Sequence, residues 1–299
     1  MKTTASVAAL ALLLTSCAAR PTARANPAGV AAPGSGAAPA PAPLRDTHEG
    51  LQAVLWMQTA AEYQALAGAV YHAAKRSLDA ALADPSWTAA LEQEQAGNFA
   101  ALPPAVVLDL DETVLDNSPF QAQLALDRKD YDRAPWRDWV AQARAEAVPG
   151  ALDFLAYARS RQVAVIFITN REKNQEPAAL ANLRRLGLAA TPDQVHCLDE
   201  NGWAPDKTAR RAHVARSHRI LLLVGDDLGD FASVTGKNPA ERVALARQHA
   251  GRWHDRWALL PNPLYGSWDR ALYPGLSDDA QILQKKRRTL RGMKLPGSP

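Results

Sequence analysis

At 299 residues the chain is long enough for one large α/β domain, or for one domain with a smaller appendage. Its 34 Lys and Arg against 31 Asp and Glu leave a formal charge of +3, and it has no long basic block or basic-aromatic repeat, so nucleic-acid binding is excluded as a main role. Two cysteines, Cys17 and Cys197, exclude a disulfide framework and a cysteine-based zinc site.

Residues 1–16 carry one positive charge and then an apolar run from Val7 to Leu14, the size of a signal-peptide core and too short to span a bilayer. Leu14-Thr15-Ser16-Cys17 resembles a bacterial lipobox, which is cut before a cysteine whose sulfur then carries a diacylglyceryl group. The alternative is an ordinary signal peptide cut slightly later. Acyl chains on Cys17 would anchor the protein to a membrane of the cell envelope without spanning it. Ala18 stands where an aspartate is associated with inner-membrane retention, which favours the outer membrane. Residues 17–45 are mostly Ala, Pro and Gly, too poor in large apolar side chains to offset ordering entropy, and read as a tether.

Residues 46–103 read as a helical segment. Asp46 and Glu49 have capping-box spacing, and Leu51, Val54, Leu55, Leu66, Val70, Leu78 and Leu82 recur near a 3.6 period as one long helix bearing Trp56, Tyr63 and Tyr71. Asp84-Pro85 then predicts a second, shorter helix through Trp87 and Leu91. A core spans 104–275, with a helical insert over about 114–148 that holds Tyr131, Trp136 and Trp139, and a basic tail follows over 276–299.

Within the core, three continuous apolar runs have the character of strands buried on both faces. Val106 to Leu108 ends at Asp109 and Asp111, Val163 to Ile168 ends at Thr169 and Asn170, and Ile220 to Val224 ends at Asp226 and Asp230. Weaker strand candidates are Val195 to Leu198 and Trp257 to Leu260, with helices between them. This alternation predicts a Rossmann-like α/β fold, a mostly parallel sheet with helices on both faces, plus a smaller helical domain from the N-terminal helices and the insert. Parallel strands would bring the three polar clusters to one edge of the sheet, where open α/β sheets bind ligands, and Lys207 from a helix start would join them. Crowded carboxylates need a compensating cation, and an all-oxygen set suits Mg2+. Carboxylates, Mg2+, a hydroxyl and a lysine together suit a phosphate.

In order along the chain, DLDET, the Thr169 strand end, Lys207 and GDDLGD resemble the four motifs of the haloacid-dehalogenase-like phosphatases. Within that superfamily WMQTAAEYQAL, DLDETVLDNSPF, TNR, GDDLGDF and LLPNPLYGSW resemble the class C acid phosphatases, bacterial lipoproteins of which some act as 5′-nucleotidases. The resemblance implies Asp109 as the nucleophile that forms an aspartyl-phosphate, and Asp111 as the acid and then the base. It implies Asp109, the Asp111 backbone carbonyl and Asp226 as Mg2+ ligands, Asp230 behind them, and Thr169, Asn170 and Lys207 on the phosphoryl group. The chain departs from many members at Asp227, where Asn is common, and from some at Gly229.

The substrate expected is a small-molecule phosphate ester, a nucleoside monophosphate or aryl phosphate, its ring stacked on Tyr265 and on Trp56 or Tyr63 from the first helix. A packing role for Trp56 and Tyr63 is an equal alternative. Competing readings are a phosphatase without nucleotide preference and a non-catalytic ligand-binding lipoprotein. Oligomeric state stays open, a homodimer included.

Overall fold

The computed structural model describes residues 48–291 apart from 95 and 254. The signal peptide, Cys17 with its lipobox, the tether and the Asp46 cap all lie outside the described residues. No helix among the described residues is long and apolar enough to cross a membrane.

The apolar periodicity from Leu51 gives two helices, α1 (Leu51–Thr59) and α2 (Ala61–Ala83), rather than one. Ala60 is extended between them, and Thr59 turns its hydroxyl back onto the Leu55 carbonyl at 2.6 Å. Along α2 the stripe Tyr63, Ala67, Tyr71, Ala74, Leu78 and Ala81 is buried, a helical spacing that fixes which face meets the core. The helix expected after Asp84-Pro85 does not form there. Asp84 caps Ser86 in a turn, and Trp87 to Ala90 run into the core, Trp87 Nε1 donating to the Leu221 carbonyl at 2.8 Å and Ala89 N to Ile220 at 2.8 Å. Only the short α3 (Leu91–Glu94) follows.

Then come β1 (Pro104–Leu108), β2 (Leu115–Asp116), α4 (Ser118–Asp127), α5 (Arg133–Ala141), β3 (Glu146–Ala147), α6 (Ala151–Ser160) and β4 (Ala164–Glu172). The rest is α7 (Glu176–Arg185), β5 (Val195–Leu198), α8 (Thr208–Ala215), β6 (Arg219–Gly225), α9 (Pro239–Gln248), β7 (Trp257–Leu259), α10 (Ser267–Arg270) and α11 (Asp279–Thr289). Both weaker strand candidates are therefore strands. The insert is helical, carrying α4 and α5, and the antiparallel pair β2-β3 closes it, a pairing too short to show as a periodicity.

The main sheet is parallel throughout, in the order β5-β4-β1-β6-β7. Successive side chains of β1 feed two different cores. Val106 and Leu108 pack with α2, α6 and α7, while Ala105 and Val107 pack with Val214, Phe231 and Trp257. Burial on both faces is the physical reason these strands read as unbroken apolar runs. The chain leaves β1 toward β4 and β5, then crosses back to β6 and β7, so the topological switch point lies at the C-terminal end of β1. From residue 48 onward the described residues form one compact unit that includes α1 and α2.

Candidate active site

The strand ends bring the predicted cluster together. Asp109 follows β1, and its backbone N–H bonds the Val224 carbonyl at 3.0 Å, which fixes the nucleophile candidate against β6. Lys207, just before α8, donates from Nζ to Asp109 Oδ1 at 2.6 Å and to Asp230 Oδ1 at 2.6 Å. The Asp206 carboxylate holds this turn by accepting from the Ser233 hydroxyl, the Thr208 N–H at 2.9 Å and the Thr235 hydroxyl at 2.9 Å, and against its burial these donors, Ser233 foremost, keep it ionised to unusually low pH. Asp226 ends β6 and accepts from the Thr113 hydroxyl and from Asn262 Nδ2, both at 2.9 Å. Gly225 is required beside it, because a Cβ there would lie 2.2 Å from Asp230 Oδ2.

Carboxylate oxygens of Asp109, Asp226 and Asp230 lie within 4.8 Å of one another, an all-oxygen set fit for a divalent cation. Both Asp230 oxygens already have donors, Lys207 on Oδ1 and the Asp227 N–H on Oδ2 at 2.9 Å. Burial is the main cause that pushes the Asp109 carboxyl up to about 7, with Lys207 opposing it and Asp230 and Asp111 adding to it. Burial, then Asp230 and Asp109, also holds Asp226 well above the carboxylate range. Against burial, the same acids hold the Lys207 ammonium above its ordinary range. One lysine balancing three acids is a site built for additional positive charge.

Thr169 is fully buried and its Oγ1 accepts from the Arg171 N–H at 3.0 Å. Asn170 lies at the cleft wall, its Oδ1 accepting from Arg210 Nη2 at 2.6 Å. Asp111 sits beside Asp109 at the floor of the same cleft. Asp227 is no part of the acidic cluster. It accepts from the N–H groups of Gly229 and Ser267, both at 2.7 Å, and so ties the segment after Tyr265 to the end of β6.

Tyr265 lines the cleft, and its hydroxyl donates to Glu112, a buried residue held in the left-handed region at φ 55°. The first-helix aromatics require a correction. Tyr63 belongs to the buried stripe of α2, only 1% exposed, with Trp56 edge-on against it at 5.5 Å, and neither lines the cleft. Helical spacing that puts Tyr63 in register with Ala67 and Tyr71 decides for packing. The aromatic wall comes from Tyr131 and Trp136 of the insert and from Trp268 and Tyr273. Sequence reasoning also passed over Arg171, although it stands in the Thr169-Asn170-Arg171 strand end, and Asn117 and Asn262, although they stand within DLDETVLDNSPF and LLPNPLYGSW.

A family model for the HAD superfamily, subfamily IIIB (acid phosphatase) matches residues 38–268. The chain belongs to that subfamily. The solved class C acid phosphatase from Bacillus anthracis is 37% identical and superposes with a TM-score of 0.72 over 82% of this chain and 97% of its own. Its structure with tungstate bound gives 36% identity and the same TM-score of 0.72. A stem 28 kDa glycoprotein of Glycine max is 25% identical over 164 residues, 53% of this chain, and the match spans 58% of that relative's length.

Proposed function

We propose that the chain is a phosphomonoesterase that works through an aspartyl-phosphate, with Mg2+ as its cation and 5′-nucleotides and aryl phosphates as its substrates. The observation that carries this reading is Lys207 bonded at once to Asp109 and Asp230 beside Asp226, at the strand ends of the switch point. Asp109 accepts from the Lys207 ammonium at 2.6 Å, a fixed positive charge that suits a nucleophile that must be ionised to attack. It attacks phosphorus while Asp111 protonates the leaving oxygen, and Asp111 then takes a proton from the water that releases phosphate. Lys207, Thr169 and Asn170 hold the phosphoryl oxygens, and tungstate in the Bacillus anthracis relative, a tetrahedral oxyanion, supports an oxyanion pocket. Mg2+ held by Asp109, Asp226 and the Asp111 carbonyl would neutralise phosphoryl charge, with Asp230 keeping Lys207 in place.

Tyr265, Tyr131 and Trp136 line one cleft with Asp109, which supports an aromatic leaving group, since stacking contributes about 1–3 kcal/mol per base. The lipobox at Cys17 supports an envelope-anchored enzyme, outer membrane rather than inner. The test is a panel of phosphate esters with and without Mg2+, using the wild type and Asp109→Asn. Turnover that needs Mg2+ and disappears in Asp109→Asn is expected. No turnover on any ester defeats the enzyme, and equal rates on glycerol phosphate and nucleoside monophosphates remove the stacking argument.

A further inference from the structure

Asp111 is gripped from two sides. Arg171, at the end of β4, donates from Nη2 to Asp111 Oδ1 at 2.7 Å and from Nε to both carboxylate oxygens at 3.1 Å. Asn117 Nδ2 donates to the same Oδ1 at 2.8 Å. The Asn117 amide cannot turn over, because its own Oδ1 accepts from Trp139 Nε1 at 2.8 Å. The Arg171 guanidinium is in turn packed under the Trp136 ring, 5.6 Å from its centroid. Arg171 and Asp111 both line the cleft, but the Arg171 side chain is 1% exposed while that of Asp111 is 16% exposed, so the acid is the more open of the two.

We propose that Arg171, with Asn117, is a positioning residue that commits Asp111 Oδ1 to the protein and leaves Oδ2 as the one atom that carries the proton to the leaving group. This rests on the acid role given to Asp111 above. Oδ1 takes two short, well-placed donors, whereas Oδ2 has a single 3.1 Å contact shared with Oδ1, so the free lone pair is on Oδ2. In the step itself an Asp109 oxygen bonds to phosphorus and the bond from phosphorus to the ester oxygen breaks. The Oδ2 proton moves to that oxygen, releasing an alcohol and leaving Asp111 a carboxylate. Arg171 and Asn117 keep their bonds to Oδ1 throughout, so nothing needs to reorganise as the proton leaves.

A buried ion pair is by itself poor evidence of a stabilising role. Here Arg171 also keeps Nη1 buried with no hydrogen-bond partner among the described residues, a cost that stability alone does not justify. A lysine at this position would keep the charge and lose the planar fork.

The two roles separate in the dependence of rate on leaving group. Esters with a good leaving group, such as dinitrophenyl phosphate, need little proton donation, while nucleoside and alkyl phosphates depend on it. Rates would be measured across such a series for the wild type, Arg171→Lys, Asn117→Ala and Asp111→Asn, with thermal melting as the check on folding. Arg171→Lys should lower kcat about 100-fold on nucleoside monophosphates with KM nearly unchanged, and less than about ten-fold on dinitrophenyl phosphate. Asn117→Ala should show the same tilt to a smaller extent, and it carries the test if Arg171→Lys does not fold. An equal loss on all esters, or parallel slopes for both clamp variants and wild type, overturns the proposal. If Asp111→Asn tilts the series and the clamp variants do not, this inference alone fails. If Asp111→Asn also leaves the slope unchanged, the acid assignment fails with it.

Discussion

The stabilisation that divalent metal gives this protein should grow as pH rises. Asp109, Asp226 and Asp230 share one corner with Lys207, and burial is the main reason the Asp109 carboxyl stands at about 7 instead of 3.8. A carboxyl raised in this way binds its proton more tightly folded than unfolded. Between those two values the metal-free native state holds an extra proton, and its stability falls as pH rises. A cation must displace that proton at low pH and meets a bare, repelling cluster at high pH. Moving from about pH 5 to above 7 changes the metal's contribution by roughly 3 kcal/mol through Asp109 alone, at about 1.4 kcal/mol per pH unit. Asp226 acts in the same direction. For a domain of this size that is on the order of 6–12 °C in melting temperature.

The assay is thermal melting with chelator and with saturating Mg2+, in pairs across that range. The pairing matters because burial, with His213, holds the His196 imidazole down at about 4, a group whose contribution is lost as pH falls whether or not metal is present. A metal-induced shift that is flat with pH, or larger in acid, would mean that Asp109 and Asp226 do not hold the cation. Asp109→Asn should reduce the pH dependence to the part that Asp226 supplies.

Gly225→Ala should cost about 3 kcal/mol in denaturant unfolding and remove most activity, since its Cβ would collide with the Asp230 carboxylate that holds Lys207. Asp227→Asn should change Mg2+ affinity by calorimetry less than about three-fold, because this carboxylate is spent on Gly229 and Ser267; a large change would bring it into the metal site. In a Cys17→Ala chain, a thiol reagent should be silent on the native protein and count one thiol after urea. Burial pushes the Cys197 thiol up to about 12, and rapid native labelling would contradict its place in the core.

The sheet was legible because β1, β4 and β6 are covered on both sides, which leaves no polar alternation to confuse the reading. The acidic cluster was legible for a related reason: Asp109 and Asp226 sit directly after β1 and β6, so parallel order alone brings them together, and Asp230 follows in the turn after β6. What stayed hidden depends on register and on side-chain direction. Pairing of Leu108 with Phe167 is what sets Arg171 beside Asp111, and no spacing within either segment contains that fact. The break at Ala60 occurs in a stretch with no glycine or proline to mark it. Asp84-Pro85 has the chemistry of a helix start, yet Trp87 gains more by burying its ring and bonding Leu221 than by starting one. Tyr63 and Tyr265 look alike as candidates for stacking, and only packing shows that the first serves the core and the second the cleft.

A covalent phosphoryl-enzyme on Asp109 leaves its mark in the stereochemistry at phosphorus. A phosphorothioate ester made chiral at phosphorus by its sulfur and two oxygen isotopes would be hydrolysed in water carrying the third stable oxygen isotope, and the configuration of the released thiophosphate determined. Two in-line displacements, first by Asp109 and then by water, predict net retention. Net inversion would mean a single attack by water and would contradict the account.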